Sequence, residues 1–305
     1  MAMQRRKLLL SALAALAATS AAAEDAVRVA SKLDTESALL GNMILLALEA
    51  DGIPTIDRLQ LGPTNILRSA IIAGEIDIYP EYTGNGALFY ASESDSVWRD
   101  REAGYAKVRA LDEARQHLLW LDPAPTDNSW VIVVPHELAA QQGLQSLADF
   151  AGWVGRGGRV RLAASAEFVE SPAALPAFEE VYGFTLAPSQ LLVLAGGDTA
   201  VTTRAAAEGI SGVDAAMAYG TDGALSVLGL VVLADPKRAQ VIYAPAPVVR
   251  ASVLQRYPAM RERLATIFRS LDVASLRRLN ARIAVDGERP RDVARDYLGS
   301  SLQRR

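Results

Sequence analysis

From residue 27 to the C-terminus, short apolar runs alternate with segments of helical periodicity, and this alternation restricts the chain to a strand and helix layering. Strand-like runs fall at 27–31, 55–61, 76–79, 118–121, 130–134, 159–164, 191–194, 215–218, 228–233 and 241–244. Between them, helices are expected at 36–50, 64–73, 102–116, 146–153, 172–182, 199–208, 257–269 and 275–284. Asp34 or Thr35 can cap the first, and Ser146 and Asp149 stand at capping-box spacing at the start of another. The expected class is α/β with mostly parallel sheets.

The first residues stand apart from this pattern. Gln4-Arg5-Arg6-Lys7 is basic, Leu8 to Ala18 is apolar apart from Ser11, and Ala21-Ala22-Ala23 precedes Glu24. This order is that of a secretory signal, because the apolar run is too short to anchor in a bilayer, which needs about 20 residues. Cleavage after Ala23 removes three cations and no acid, taking 305 residues to 282 and a formal charge of -4 to -7. With no cysteine there is no lipid attachment through a thiol, no disulfide, no thiolate metal site and no cysteine nucleophile. The expected location is therefore the periplasm, free of a lipid anchor.

The 31 basic residues are scattered among 35 acids, which argues against nucleic acid as a partner. His117 and His136 are the two histidines, one at the end of a polar helix and one just outside a strand, both read as surface or structural. No GxSxG, HExxH, P-loop or GxGxxG motif occurs, so no catalytic residue, metal ligand or cofactor site is assigned. Gly196-Gly197-Asp198-Thr199 reads as a tight turn and helix cap whose amides could hold a polar group.

Proline-rich passages at Asp122 to Asn128 and at Ala234 to Pro247 sit about 110 residues apart. They suggest two crossings between lobes: residues 24–125 plus 240–305 form a discontinuous first lobe, and 126–239 a continuous second. A cleft between lobes is the favoured place for a ligand.

Aromatics are 6% of the chain, yet several stand where strands end in turns: Tyr82 before Thr83-Gly84-Asn85-Gly86, Trp130 after Asn128-Ser129, and Tyr219 before Gly220-Thr221-Asp222. Singly, each fits a half-buried ring with a hydrogen-bonded tip. Their shared placement at strand ends beside small polar turns calls for a joint explanation.

These segments carry a resemblance. Ser31-Lys32, Asp34-Thr35-Glu36, Gly74 to Gly84 with its Tyr79-Pro80-Glu81-Tyr82-Thr83-Gly84 block, Asn128-Ser129-Trp130, Leu194 to Val201, Tyr219 to Asp222 and Tyr243 to Arg250 resemble the periplasmic binding proteins of ABC importers for glycine betaine, choline and related osmoprotectants. The resemblance spans the mature chain and implies a two-lobed type II binding-protein fold with the ligand in the interlobe cleft. It further implies a cage of Tyr82, Trp130, Tyr219 and Tyr243, with backbone near Asn128 closing one side. Lys32 falls where the family sets a cation against the ligand carboxylate, and Asn85 where it usually has Thr. Ser171 stands where better studied members carry an Arg clamp, and a serine does not replace that charge.

The partners implied are a small quaternary-amine ligand and a membrane permease, with the chain a monomer. The alternatives are a binder of another cationic or zwitterionic solute, or an enzyme on the same fold using a carboxylate or lysine in the cleft.

Overall fold

The computed structural model describes residues 26–92, 95–194 and 199–302. The leader segment 1–23 and the Gly196-Gly197-Asp198 turn lie outside the described residues. The strands are β1 (Val27–Lys32), β2 (Thr55–Gly62), β3 (Ile78–Tyr82), β4 (Leu118–Trp120), β5 (Trp130–Pro135), β6 (Leu162–Ser165), β7 (Leu191–Leu194), β8 (Ala215–Tyr219), β9 (Leu230–Val232) and β10 (Pro245–Arg250). They form two five-stranded sheets, ordered β2-β1-β3-β10-β4 and β7-β6-β8-β5-β9.

The two orders are one plan used twice. In each sheet the first three strands pair in parallel, and one strand from beyond a crossing enters antiparallel in the fourth place. That strand is β10 in the first sheet and β5 in the second. The fifth strand pairs antiparallel with it in both. Four strands of each sheet thus run one way, in line with the expected mostly parallel sheets, and the strand delivered by a crossing runs against them. Apolar clusters cover both faces of each sheet, as a layered α/β core requires.

The last strand is displaced from its expected place. Residues 241–244 were expected to be extended in a sheet, but the strand is Pro245–Arg250, buried between β3 and β4. Proline is normally kept out of such positions because it lacks the ladder donor. Here the carbonyls of Pro245 and Pro247 accept from Ala124 and Leu121, on the side where β4 has already ended. The side facing β3 keeps its ladder through Ala246, opposite Glu81, and the two prolines Pro247 and Pro80 stand opposite each other. Residues 241–244 instead form the second crossing.

The two crossings run side by side. Asn128 N donates to the Tyr243 carbonyl at 3.0 Å, the Ser129 hydroxyl to the Val241 carbonyl at 2.5 Å, and Tyr243 N to Asp127 Oδ1 at 2.9 Å. Helices lie close to expectation: Thr35–Ala50 is capped by Asp34, and Ser146 and Asp149 form a reciprocal capping box at Leu147–Gly155. Among the described residues no helix is long and apolar enough to cross a membrane.

Candidate ligand-binding site

A cavity of about 670 Å³ opens between the two sheets, walled by the carboxyl ends of β1, β3 and β8, the start of β5, and both crossings. Strand ends expose side chains to a cleft while the sheet holds their backbones, which is why open α/β folds place ligands there.

The Tyr79 to Gly84 block builds the floor, and each residue type has a physical reason. Glu81 is fully buried and accepts from Lys32 Nζ at 2.5 Å, Asn85 Nδ2 at 2.7 Å, the Tyr82 amide at 2.7 Å and the Tyr79 hydroxyl at 3.1 Å. Thr83 donates its hydroxyl to the Ile242 carbonyl at 3.0 Å. Gly84 lies so close to the second crossing that a Cβ would come within 2.7 Å of Val241 and 2.9 Å of the Ile242 carbonyl. The block thus fastens the crossing and presents Tyr82.

Seven of the eight residues assigned from sequence and resemblance line the cavity: Lys32, Tyr82, Asn85, Asn128, Trp130, Tyr219 and Tyr243; Ser171 does not. Trp130 opens β5 directly opposite Tyr219, the last residue of β8. Their rings are near parallel, 20° apart in plane with centroids 6.4 Å apart, and Phe168 backs the indole edge-on at 5.9 Å. Tyr243 comes from the second crossing, and Tyr82 faces them from the first sheet. Burial raises the pKa of Tyr82 well above the usual phenol value, raises that of Tyr219, and pushes Tyr243 up to about 12. All three stay neutral near pH 7, with their ring faces intact and hydroxyls able to donate.

Lys32 lines the cavity, but its ammonium is held by the buried Glu81 carboxylate and sits 4.8 Å from the centroid of the Tyr82 ring. A charge so paired is largely neutralised before any ligand arrives. Ser171 lies away from the cavity as the C-cap of the short helix Ala166–Glu170, its hydroxyl accepting from Ala173 N at 3.4 Å. The residue of that helix that reaches the cavity is Glu167.

Glu167 belongs to a set that the sequence reading missed. Asp34, Glu36, Glu167 and Asp222 all line the cavity, so its charged wall is acidic apart from the paired Lys32. Glu36 is the most buried of them, at 4% exposure. Burial pushes its carboxyl up to about 7, opposed by hydrogen bonds that favour the ionised form, from Asn280 and Tyr82 among others. Glu36 stood within the Asp34-Thr35-Glu36 segment, but an acid in a helix's first turn reads equally as a dipole partner. Among the described residues no group of three or more histidines or carboxylates is placed to hold a metal ion.

Residues 25–300 match the model of the substrate-binding domain of the ABC-type glycine betaine transport system. The chain belongs to this family. Its relatives are substrate-binding proteins: it is 54% identical over 294 residues to the glycine betaine-binding protein YehZ of Escherichia coli (strain K12), covering 96% of each chain. It is 32% identical over 295 residues to the glycine-betaine-binding protein of Pseudomonas aeruginosa, covering 94% of this chain and 91% of that one. The solved structure of apo YehZ superimposes with a TM-score of 0.81 at 55% identity, over 90% of this chain and 98% of the other. The family fold is the two-lobed periplasmic binding protein, in which the two sheets described above are the lobes.

Proposed function

We propose that this chain captures a small quaternary-amine osmolyte, glycine betaine or a close relative, in the interlobe cavity and delivers it to the permease of an ABC importer. The observation that carries the reading is the convergence of Tyr82, Trp130, Tyr219 and Tyr243 on one cavity that four carboxyl groups and a single lysine also line. A quaternary ammonium is poorly hydrated and donates no conventional hydrogen bond, so ring quadrupoles and a surrounding negative potential are its natural partners. Asn85 and Asn128 complete the wall on this reading, and Lys32 shapes the floor through Glu81 rather than clamping a carboxylate.

The lobes divide at 24–125 plus 240–305 and at 126–239 on this reading. The strand membership of the two sheets and the paired crossings support those bounds. The chain acts as a binding protein without catalysis of its own, supported by its relatives' role in transport. Residues 1–23 act as a cleaved export signal that places the mature protein in the periplasm.

Titration calorimetry of the mature chain against glycine betaine, choline, carnitine and ectoine tests the ligand class, with saturable binding of a trimethylammonium compound expected. Binding of ectoine but none of the trimethylammonium compounds would reassign the cavity to another zwitterion. Intact-mass measurement of a periplasmic extract should find a chain that begins at Glu24. Recovery of the uncleaved chain in the cytoplasm would overturn the localisation.

A further inference from the structure

The aromatic walls come from different sheets, Tyr82 from the first and Tyr219 from the second, so something must fix their separation. One buried carboxylate stands between them. Glu36 Oε1 accepts the Tyr82 hydroxyl at 2.9 Å, and Glu36 Oε2 accepts Asn280 Nδ2 at 2.9 Å. The same Asn280 nitrogen donates to the main-chain carbonyl of Thr221 at 3.0 Å. Both partners are acceptors, which fixes the orientation of the amide.

Thr221 lies in the turn 220–223 that directly follows Tyr219. Its hydroxyl donates to Asn128 Oδ1 at 2.6 Å, and Arg277 Nε donates to the Gly220 carbonyl at 2.9 Å. The turn rests against the helix Val273–Ala284, which belongs with the first sheet. A Cβ added at Gly223 would come within 2.1 Å of the Ala281 nitrogen. Only glycine lets the two backbones approach this closely.

We infer that Glu36 is the positioning residue of the site: it holds the Tyr82 ring by its hydroxyl and, through Asn280, fastens the turn that carries Tyr219, so one carboxylate sets the spacing of cage walls from two lobes. The inference rests on the proposed cage for its bearing on binding, whereas its effect on lobe separation does not depend on which ligand is bound. The ionised carboxyl suits the task because it accepts at both oxygens at once. The isosteric amide has one accepting end: given to the Tyr82 hydroxyl it sets its NH2 against the Asn280 amide, and given to Asn280 it reverses the Tyr82 bond, making the hydroxyl the acceptor.

The test compares Glu36→Gln with the wild type in two readouts: calorimetric affinity for choline and for glycine betaine, and the ligand-free radius of gyration by small-angle X-ray scattering. Glu36→Gln is expected to weaken both probes by about tenfold or more, the scale of one lost hydrogen bond to a charged group, and to enlarge the ligand-free molecule. In the Glu36→Gln background, Tyr82→Phe should add no further loss, because the hydroxyl acts through the carboxylate.

A residue that merely stabilises the fold would lower the melting temperature, leave the affinity of the folded protein unchanged and give additive losses with Tyr82→Phe; that pattern overturns the inference. Asn280→Ala cuts the tie to the second lobe while leaving the Tyr82 bond in place, and serves if Glu36→Gln does not fold. An unchanged radius of gyration in both variants also overturns the inference. If the wild type binds neither probe, the proposed ligand class fails, while scattering still decides the role of Glu36.

Discussion

Glu36 gives the protein a stability that depends on pH in a calculable way. An isolated glutamate titrates near 4.5, whereas burial holds this one up to about 7. A carboxyl whose folded pKa is raised keeps its proton while the unfolded chain has already lost its own. Its contribution is therefore fully present below about pH 4.5 and is lost as pH rises through 7. Each pH unit between the two titrations is worth about 1.4 kcal/mol, so the interval amounts to about 3 kcal/mol, a large share of a typical domain's stability. The groups facing Glu36 are Asp34 on its own segment, Tyr82, Thr221 and Asn280, and Lys32 Nζ stands 4.8 Å from the centroid of the Tyr82 ring. Urea unfolding of the wild type and of Glu36→Gln, from about pH 4.5 to about pH 8, isolates the term because every other titration is common to both. The wild type should lose about 3 kcal/mol more than the variant across that range. Curves that remain parallel would refute the reasoning, since they would mean that the carboxyl ionises at its ordinary pH despite its burial.

Replacing Trp130, Tyr219 or Tyr243 by Ala should weaken choline binding by about 2- to 30-fold each, the range of one cation-π contact, while Phe at Tyr219 or Tyr243 costs less; Tyr82→Phe should cost about as much as Glu36→Gln, and calorimetry on the folded variants checks this. Lys32→Met leaves Glu81 buried without its cation and should lower unfolding stability by about 3–5 kcal/mol, read by urea titration, with choline and glycine betaine affected alike. Ser171→Arg, which would restore the family clamp if that position faced the ligand, should leave glycine betaine affinity within about twofold, because Ser171 caps a helix away from the cavity. Choline should bind more tightly as pH rises from about 6 to about 8, because a cation in the cavity favours ionised Glu36; a flat profile in Glu36→Gln is the control.

The elements legible in the sequence are those whose signals are local. Asp34 caps its helix with a side-chain bond to Ser37 N, and Ser146 and Asp149 close their box, because capping depends on residues within one turn. The aromatics at strand ends were legible for a similar reason: a strand's end and the turn after it are written in consecutive residues. What was not legible depends on partners far along the chain. Pro245 and Pro247 read as breaks, and only the early end of β4 and the donors at Ala124 and Leu121 make them tolerable inside a sheet. The one reversed strand in each sheet was not legible because it arrives across a crossing from the other sheet. Glu36 gave no local sign of its role, since its partners Tyr82 and Asn280 lie 46 and 244 residues away.

Lys32 shows how the same distance effect governs chemistry. A lysine just past a strand, beside a cage, suggests a clamp for the carboxylate of a zwitterion. In the folded chain it meets Glu81, 49 residues on, before any ligand does. Glu81 is fully buried and must have a cation nearby, because an isolated carboxylate in that position would be strongly penalised. The lysine is therefore consumed by the floor that holds Tyr82, and with Ser171 turned away neither assigned group is left to grip a carboxylate. On the proposed reading, recognition falls on the cationic end of the ligand, where four rings and four carboxylates meet. A carboxylate on the ligand then gains little in this cavity and faces Asp34, Glu167 and Asp222 across it. That difference is what a paired titration of choline and glycine betaine measures.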